Sequence, residues 1–470
     1  MKIHRDELLG CLPPEWPGDV WPAIQKSVAQ AAKTVVVFDD DPTGCQTVHG
    51  VPLIMDWTVE AFAAEIERGC SLFYILTNTR SMSRDEAASI NRIATENLAA
   101  AARAAGIDFC IISRGDSTLR GHFPAETDAI AEGLGYVPDA VLLIPNFADG
   151  GRITCGDIHY VAEGEWFVPA GETEFARDPS FGFQSSNLRD WVAEHCPEAQ
   201  TVHSISIEDI RCGGPMRVVD LLRDLPLGAI CIINAVTRKD LEAATAGILA
   251  AEQDGSRRFF YRTAASFVPT RAALSPQPLL NAATLGLDGS GGGLIIAGSH
   301  VAKTTGQLQA LRASRPIMEV ILDAAIVQGN EADAEIRRII AAIDNALSEG
   351  QDVLVQTSRS LVMGETPTEN LAIARRVSDA LSTAVRGLVC RPRYIIAKGG
   401  ITSHDIATKA LGAKRVEVLG QAAPGVPVWR LGPETTMPGS AYIVFPGNVG
   451  DEGTLARIVE ELGVSNTLAR

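Results

Sequence analysis

The second half of the chain contains a turn suited to binding phosphate, within residues 395–407. There an apolar run ends in Lys398, Gly399 and Gly400, and Thr402 opens a helical pattern. A strand that turns through glycine onto a helix N-terminus presents free backbone N–H groups and the positive end of the helix dipole. These two features together bind phosphate.

Two more candidate phosphate turns lie in the same half. Gly298 and Ser299 follow one apolar run, and Gly447 and Gly450 lie in a Pro-Gly-Asn-Val-Gly turn after another. A hydroxyl residue at a helix start is often only an N-cap, so Ser299 alone indicates little. Three such turns together indicate a nucleotide or phosphorylated ligand. The Walker pattern G-x-x-x-x-G-K-S/T and a G-x-G-x-x-G after the first strand are absent, which disfavours a Walker-type ATPase and a Rossmann dehydrogenase.

Three consecutive carboxylates follow the first predicted strand of the chain, Asp39, Asp40 and Asp41. Open α/β sheets bind ligands at the carboxyl ends of their strands. Because the three charges repel one another, a metal, a cation or substrate hydroxyls must offset them if the role is functional. The alternative is a solvated acidic turn in which one Asp caps the next helix.

A second polar cluster, residues 113–122, also follows an apolar run. Arg114 could bind a carboxylate through two parallel hydrogen bonds, and Asp116 could take a proton from an attacking hydroxyl. The alternative is a capped helix start with Asp116 or Ser117 as N-cap. Arg80 follows another strand and is a second candidate anion ligand, whereas the turn that ends in Arg152 is a weaker signal.

Apolar runs alternate with helical patterns along the whole chain, which predicts an α/β fold with mostly parallel sheets. A helix after Met82 is indicated by Ser83 as N-cap and Glu86 as its capping-box partner, and it ends at Gly106. A second clear helix covers residues 331–348. We predict strands at residues 35–38, 72–76, 109–112, 141–144, 230–233, 294–297, 353–355, 394–397 and 442–445.

The length of 470 residues predicts two domains. Segments rich in Pro and Gly at residues 275–278 and 288–293 are typical of a linker, so we place the domains at residues 1–275 and 290–470. We expect each domain to contain a mostly parallel sheet flanked by helices, with the substrate cleft between the two.

Composition narrows the class of ligand and partner. The net charge of −16 disfavours nucleic acid and anionic membranes as partners, because both need clustered Lys and Arg. No apolar stretch has membrane length and no apolar signal core follows the N-terminus, so we expect a cytoplasmic protein. The nine cysteines form no C-x-x-C pair, and His122, His159 and His300 have no metal-like spacing. The sequence is compatible with a homo-oligomer.

Taken together, the motifs resemble those of the four-carbon acid sugar kinases, in the same order and over nearly the whole chain. The resemblance implies an N-terminal sugar-acid domain, a C-terminal nucleotide domain and ATP-dependent phosphorylation of the terminal hydroxyl of a tetronic acid (threonate, erythronate or 3-oxo-tetronate). The motifs are Asp40-Asp41-Pro42-Thr43-Gly44, Asp116-Ser117-Thr118-Leu119-Arg120-Gly121, Gly151-Arg152-Ile153-Thr154, Arg177-Asp178-Pro179, Gly298-Ser299, Gly399-Gly400-Ile401-Thr402 and Pro446-Gly447-Asn448-Val449-Gly450.

The resemblance also implies roles for individual residues. Asp116, Asp40 or Asp41 would orient and deprotonate the attacking hydroxyl, and Mg²⁺ would accompany ATP. The chain departs from the usual family pattern at Pro42, Cys45, Arg114-Gly115 and Phe445-Pro446. The implied sugar-acid contacts are Asp40, Asp41, Arg80, Arg114, Gly115, Asp116 and Ser117, and the implied ATP contacts are Ser299, Gly399, Gly400, Ile401, Thr402, Gly447 and Gly450.

Two other functions stay open at this point. Asp39 and Asp41, followed by Thr43, also fit the Asp-x-Asp-x-Thr motif of haloacid-dehalogenase-type phosphatases, although that function leaves the glycine-rich second half without a role. The third possibility is a catalytically silent sensor or effector that binds a small molecule on a kinase-like fold, because fold does not guarantee activity.

Overall fold

The computed structural model describes residues 2–198, 201–253, 255, 257–287, 289, 291–298, 302–358 and 367–463. The chain divides into two compact units, Met1–Pro276 and Gln277–Arg470, here called the first and second units. Both are α/β, so the predicted fold class is confirmed.

The first unit contains two sheets and nine helices within the described residues. Its strands are β1 (Ile3–His4), β2 (Thr34–Asp39), β3 (Val51–Ile54), β4 (Leu72–Leu76), β5 (Phe109–Arg114), β6 (Ala140–Ile144), β7 (Arg152–Cys155), β8 (Ile158–Glu163), β9 (Trp166–Pro169), β10 (Val202–Ile205), β11 (Ala229–Ile233) and β12 (Phe259–Thr263). Its helices are α1 (Arg5–Gly10), α2 (Trp21–Ala31), α3 (Val59–Glu67), α4 (Arg84–Ala105), α5 (Ala125–Leu134), α6 (Leu188–His195), α7 (Ile207–Arg223), α8 (Arg238–Glu252) and α9 (Phe267–Arg271).

The larger sheet of the first unit is parallel throughout, in the order β10-β11-β6-β12-β5-β2-β4-β3. Its strands are buried on both faces, which explains why they appear in the sequence as continuous apolar runs. The chain runs from β2 to β3 and β4 on one side, and continues to β5 on the other side of β2. The strand order therefore reverses at β2, where doubly wound sheets bind their ligands.

A small antiparallel sheet, in the order β1-β9-β8-β7, completes the first unit. Its buried side chains Ile153, Tyr160 and Phe167 pack with Ile207 and Val236. The hairpin formed by β7 and β8 thereby has a fixed place in the unit.

The second unit contains β13 (Leu294–Ala297), β14 (Met318–Leu322), β15 (Val353–Thr357), β16 (Ile395–Lys398), β17 (Arg415–Ala423), β18 (Val426–Leu431) and β19 (Ala441–Phe445). Five strands run parallel in the order β19-β16-β13-β15-β14, and β17 and β18 extend this sheet beyond β19 as an antiparallel pair. The helices are α10 (Ala302–Ser314), α11 (Ala332–Ser348), α12 (Pro367–Arg386), α13 (Gly400–Asp405), which continues as a π-helical turn over Ile406–Ala410, and α14 (Thr454–Leu462).

All nine strands predicted from the sequence are present, within two residues at each end. Several of the strands that sequence reasoning missed are short, amphipathic or at an edge, whereas β12 is central and fully buried, and Arg262 interrupts its apolar run. β14, for example, is an edge strand with three exposed residues among five. The segment expected to be a linker is ordered over residues 275–280, where Gln277 donates a hydrogen bond to the carbonyl of Leu419 (2.7 Å).

Two further features concern the chain as a whole. Among the residues that the structure describes, no helix combines the length and the apolar composition of a membrane span. The nine cysteines are free thiols, and Cys45 and Cys231 are buried.

Helix α4 provides a direct test of the local rules that define this fold. The Ser83 side chain accepts a hydrogen bond from the Glu86 amide, and the Glu86 carboxylate accepts one from the Ser83 amide, as predicted. We expect Ser83→Ala to cost about 1 kcal/mol because an N-terminal amide loses its acceptor. The thermal-unfolding midpoint should fall by a few degrees, whereas Ser71→Ala at an exposed site should leave it unchanged. Equal midpoints for the two variants would contradict this prediction.

Candidate active site

Charged side chains converge at the carboxyl edge of the parallel sheet in the first unit. Asp39 ends β2, and its register partners are Leu76 at the end of β4 and Arg114 at the end of β5. Asp40 and Asp41 follow Asp39 directly. The strand order therefore brings together three segments that are far apart in sequence, as the pattern of polar residues after strands predicts.

Arginines neutralise these carboxylates. Arg80 Nε donates to Asp40 Oδ2 (3.2 Å) and Arg80 Nη1 to Asp41 Oδ2 (3.3 Å), while Asp116 Oδ1 lies 3.7 Å from Nη1. Arg114 Nη1 lies 3.5 Å from Asp39 Oδ1. We call Asp39, Asp40, Asp41, Asp116, Arg80 and Arg114 the acid–arginine cluster.

The alternative of a solvated acidic turn is wrong. Asp39 and Asp40 are 0% and 2% exposed, and no helix follows them. A carbon atom added at Gly44 would lie 1.9 Å from Asp39 Oδ1, so glycine is needed there to cover this carboxyl group.

Burial and ion pairing set the protonation of the cluster. Burial raises the pKa of Asp39 to about 8, with Arg114 acting in the opposite direction. Burial also raises the pKa of Asp40, although Arg80 opposes it. At Asp116 the effect of burial is outweighed by Arg120 and Arg80, and its pKa lies well below the ordinary range. Around neutral pH the cluster therefore combines a protonated Asp39 with an ionised Asp116.

Asp116 lies in a loop and not at a helix start, so the N-cap alternative for Asp116 and Ser117 is wrong. The next helix, α5, begins only at Ala125. Asp116 Oδ2 accepts a hydrogen bond from Arg120 Nε (2.8 Å), and Arg120 Nη1 reaches Asp178 Oδ2 (3.3 Å). These bonds hold the loop in one shape.

A buried ion pair that sequence reasoning missed lies beneath this loop. Arg262 Nη1 donates to Glu126 Oε2 (2.8 Å) and to Ser113 Oγ (3.0 Å), and both charged residues are almost fully buried. A carbon atom added at Gly115 or Gly121 would come within 2.3 or 2.7 Å of Arg262 Nη2. Gly115 therefore leaves room for the Arg262 guanidinium. Nothing in the sequence indicates that Arg262 packs at this position.

The histidines have the hydrogen-bonding roles expected of them. His159 is fully buried, its Nε2 donates to the carbonyl of Ser117 (2.8 Å), and its Nδ1 accepts from Thr154 Oγ1 (3.0 Å). Burial lowers its pKa to about 4, so the ring is neutral. His122 Nε2 contacts the carbonyl of Thr79 (3.1 Å), and His300 lies outside the described residues.

In the second unit, the three glycine turns follow three adjacent parallel strands. Ala297 of β13 and Phe445 of β19 both pair with Lys398 at the end of β16. A carbon atom added at Gly298 would lie 2.6 Å from Thr402 Oγ1, so the first two turns are in contact. Ser299 lies outside the described residues. The other residues predicted to bind nucleotide, Gly399, Gly400, Ile401, Thr402, Gly447 and Gly450, belong to the turns after β16 and β19 and to the first residues of α13.

Two lysines lie at the turn after β19. Lys398 is fully buried and its Nζ donates to the carbonyl of Pro446 (3.2 Å), while Lys303 Nζ reaches the carbonyl of Asn448 (3.2 Å). Burial lowers the pKa of Lys398 to about 7, and the charge of Lys303 adds to this effect. Within the described residues, neither lysine has a carboxylate within 4.0 Å. A phosphate bound at this turn would therefore supply the negative charge that the described side chains do not place within 4.0 Å of the two lysines.

Comparisons with known proteins agree with this architecture. A sugar-binding N-terminal domain matches residues 35–271, and a nucleotide-binding C-terminal domain matches residues 294–455. The chain is 25% identical to the D-erythronate kinase of Heliobacterium modesticaldum over 83% of this chain and 88% of that one. It is 25% identical to the D-threonate kinase of Salmonella typhimurium over 77% and 81%, respectively.

Solved structures show the same fold. A Salmonella typhimurium LT2 protein provisionally assigned as a tRNA synthase has a TM-score of 0.67 at 17% identity, covering 90% of this chain and 98% of that one. A Haemophilus influenzae DUF1537 protein has a TM-score of 0.57 at 17% identity, covering 91% and 100%. With the domain matches and the curated relatives, the resemblance found in the sequence is confirmed. The chain belongs to the four-carbon acid sugar kinase family, and it is a kinase of that family.

The protonation of Asp39 predicts a specific pH dependence. A carboxyl group whose pKa is raised to about 8 in the folded protein keeps a proton that the unfolded chain has already released. Its contribution to stability is therefore complete below about pH 4 and is lost as the pH rises through about 8. We expect Asp39→Asn to reduce the fall in thermal-unfolding midpoint between pH 5 and pH 9.

The matched control is Asp108→Asn, which removes an exposed carboxylate from the same unit. Its midpoint should fall between pH 5 and pH 9 by as much as that of the wild type. If Asp39→Asn behaves like this control, Asp39 is ionised in the folded protein at neutral pH.

Proposed function

We propose that the protein transfers the γ-phosphoryl group of ATP to the terminal hydroxyl of a four-carbon sugar acid of the threonate, erythronate or 3-oxo-tetronate type. The observation that carries this proposal is the acid–arginine cluster at the point where the strand order reverses. Support also comes from the acid sugar kinases that align with both units.

Exposure divides the cluster into contacting and supporting residues. The side chains of Arg80, Asp41 and Asp116 are 15%, 18% and 12% exposed, whereas those of Asp40 and Arg114 are only 2% and 3% exposed. We therefore assign the direct contacts with the sugar acid to the first three residues. Asp40 and Arg114 hold them in place.

The low pKa of Asp116 fits a positioning role in catalysis. Phosphoryl transfer passes through a loose transition state, in which positioning and charge neutralisation matter more than proton abstraction. An ionised carboxylate held by Arg120 and Arg80 can accept a hydrogen bond from the attacking hydroxyl and orient it. Ser117 and Gly115 complete the same loop.

The second unit would bind the nucleotide. The first turn of α13 has backbone N–H groups without intrahelical acceptors, and Gly447 is open enough that an added carbon would meet nothing within 4 Å. Phosphate oxygens can approach such a backbone closely, with Lys303 and Lys398 supplying positive charge. The substrate cleft expected between the two domains stays a prediction.

Magnesium would arrive with the nucleotide. In the described ranges, no group of three or more His, Cys, Asp or Glu side chains could hold a metal ion, and Arg80 already pairs with Asp40, Asp41 and Asp116. A divalent cation bound together with ATP would supply positive charge that offsets the charge of the phosphates. The chain's own residues would then have to position the two substrates.

The phosphatase alternative requires an accessible nucleophile, and Asp39 is not one. Its side chain is fully buried under Gly44, and its raised pKa leaves it protonated near neutral pH. A protonated and buried carboxyl group cannot attack a phosphate ester.

Asp116→Asn and Asp39→Asn test the proposed function together. With ATP, magnesium and a panel of threonates, erythronates and 3-oxo-tetronates, we expect ATP-dependent product from the wild type. Asp116→Asn should lower kcat about 100-fold, the size of effect expected when a reacting group loses its orientation. Asp39→Asn should change kcat less than tenfold.

Each rival function gives a different result in the same assay. Phosphate release without ATP, abolished by Asp39→Asn, would show a phosphatase. A rise in melting temperature with a sugar acid, but without turnover, would show a binding protein, because a ligand that binds only the folded form stabilises it.

The lowered pKa of Lys398 predicts that the protein takes up protons when the nucleotide binds. At pH 8 its amine is mostly neutral in the free protein, because its pKa lies at about 7. A phosphate at the turn of residues 446–450 would raise that pKa, so the complex should take up a fraction of a proton at pH 8. Calorimetric titration with ATP in buffers of different ionisation enthalpy measures the uptake.

Two variants distinguish proton uptake by Lys398 from proton uptake by ATP itself. Lys398→Met should lose the extra uptake at pH 8, while Lys414→Met, which removes an exposed lysine of the same unit, should retain it. The same uptake in all three proteins would place the phosphates away from Lys398.

A further inference from the structure

Near the acid–arginine cluster, Arg152 has no carboxylate partner within 4.0 Å in the described ranges, although the charges of Asp116 and Arg120 act on it. Arg80, Arg114, Arg120 and Arg262 each lie within 4.0 Å of at least one Asp or Glu oxygen. Arg152, at the start of β7, has none. The sugar acid carries a carboxylate. An arginine without a carboxylate partner is a better candidate to bind it than the four arginines that already have one.

Arg152 is mostly withdrawn from solvent and only partly satisfied. Its Nη1 donates to the carbonyl of Gly150, while its Nε is buried and has no acceptor. Burial lowers its pKa, yet a guanidinium stays charged at any physiological pH. A buried cation without an anion is costly, so the site favours a negatively charged ligand.

The position of Arg152 connects it to the candidate catalytic loop. Two residues further along β7, Thr154 hydrogen-bonds His159, and His159 in turn donates to the carbonyl of Ser117. Asp116 and Arg120 lie close enough for their charges to act on Arg152 in opposite directions. The guanidinium therefore lies beside the loop that carries Asp116.

The turn before β7 fixes the place of this arginine. A carbon atom added at Gly150 would lie 2.3 Å from the Phe147 ring and 3.0 Å from Arg152 Nη1. Gly151 has φ of +75°, and a carbon atom there would lie 2.6 Å from Ala162 Cβ. Glycine at both positions therefore lets the backbone pack closely and leaves room for the Arg152 guanidinium.

We propose that Arg152 binds the carboxylate of the sugar acid and thereby selects acids over neutral sugars. This inference rests on the proposed function. Arg80, which the sequence indicated as a carboxylate ligand, already pairs with Asp40 and Asp41. Arg114, the other candidate, is almost fully buried and lies 4.0 Å from Asp40. With the carboxylate on Arg152, the hydroxyl groups lie towards Asp116 and Arg80, where one of them can be phosphorylated.

The test compares wild type, Arg152→Gln, Arg152→Lys and a matched control, Arg257→Gln, with the best C4 acid and with its uncharged amide. Arg257 is an arginine of the same unit that donates to the carbonyl of Leu225 (2.8 Å). We expect Arg152→Gln to raise KM for the acid at least about tenfold, the usual size of a charged hydrogen bond. KM for ATP should stay within error of the wild type, and the melting temperature should not fall, because the variant removes an unpaired buried charge.

Charge recognition has signatures that a structural role would not produce. Arg152→Lys should recover part of the affinity for the acid, because lysine keeps the charge but loses the two-pronged geometry. The preference of the wild type for the acid over the amide should largely disappear in Arg152→Gln. Arg257→Gln should behave as the wild type in every assay.

Two results would overturn the proposal, and they are distinguishable. If the wild type phosphorylates a C4 acid and Arg152→Gln has an unchanged KM, or weakens acid and amide equally, Arg152 does not bind the carboxylate. If the wild type neither binds nor phosphorylates any C4 acid, the proposed function fails and this inference fails with it.

Discussion

The neutralisation of buried carboxylates at the end of β2 is the constraint on which the first unit depends. Asp39 and Asp40 are almost completely buried, and an unpaired buried charge costs several kcal/mol. Arg80 after β4 and Arg114 at the end of β5 offset this cost for Asp40, and a raised pKa removes the charge from Asp39. Because these groups come from three strands, the ion pairs hold the carboxyl edge of the sheet in one arrangement.

Nine strands of the parallel sheets and most of the polar cluster were predictable from sequence for a simple physical reason. Strands buried on both faces are continuous apolar runs, and the polar residues that follow them must meet at one edge of a parallel sheet. This rule located Asp40, Arg80 and Asp116 before any contact was known. It also located the turns after β16 and β19, whereas Ser299 lies outside the described residues and its predicted role stays a prediction.

What the sequence did not reveal depends on contacts between distant segments. The ion pair of Arg262 with Glu126 joins residues 136 positions apart, and Arg262 lies in a strand that was not predicted. The helix alternative for the loop at Asp116 was wrong because Leu119 and Gly121 have φ of +71° and +130°, which a helix excludes. The positive φ of Leu119 cannot be inferred from its residue type.

Under the proposed function, the two units would bind anions in different ways. The chain carries a net charge of −16, so long-range attraction does not favour an anionic substrate. Under the proposal, the first unit would bind the carboxylate through Arg152 and the hydroxyl groups through a cluster that ion pairs already hold in place, so little reorganisation would accompany binding. In the second unit backbone amides and two lysines without carboxylate partners in the described ranges offer positive potential only at the turns themselves. Affinity in both units therefore depends on local geometry, and displacing one arginine or one glycine should matter more than changing the charge of the surface.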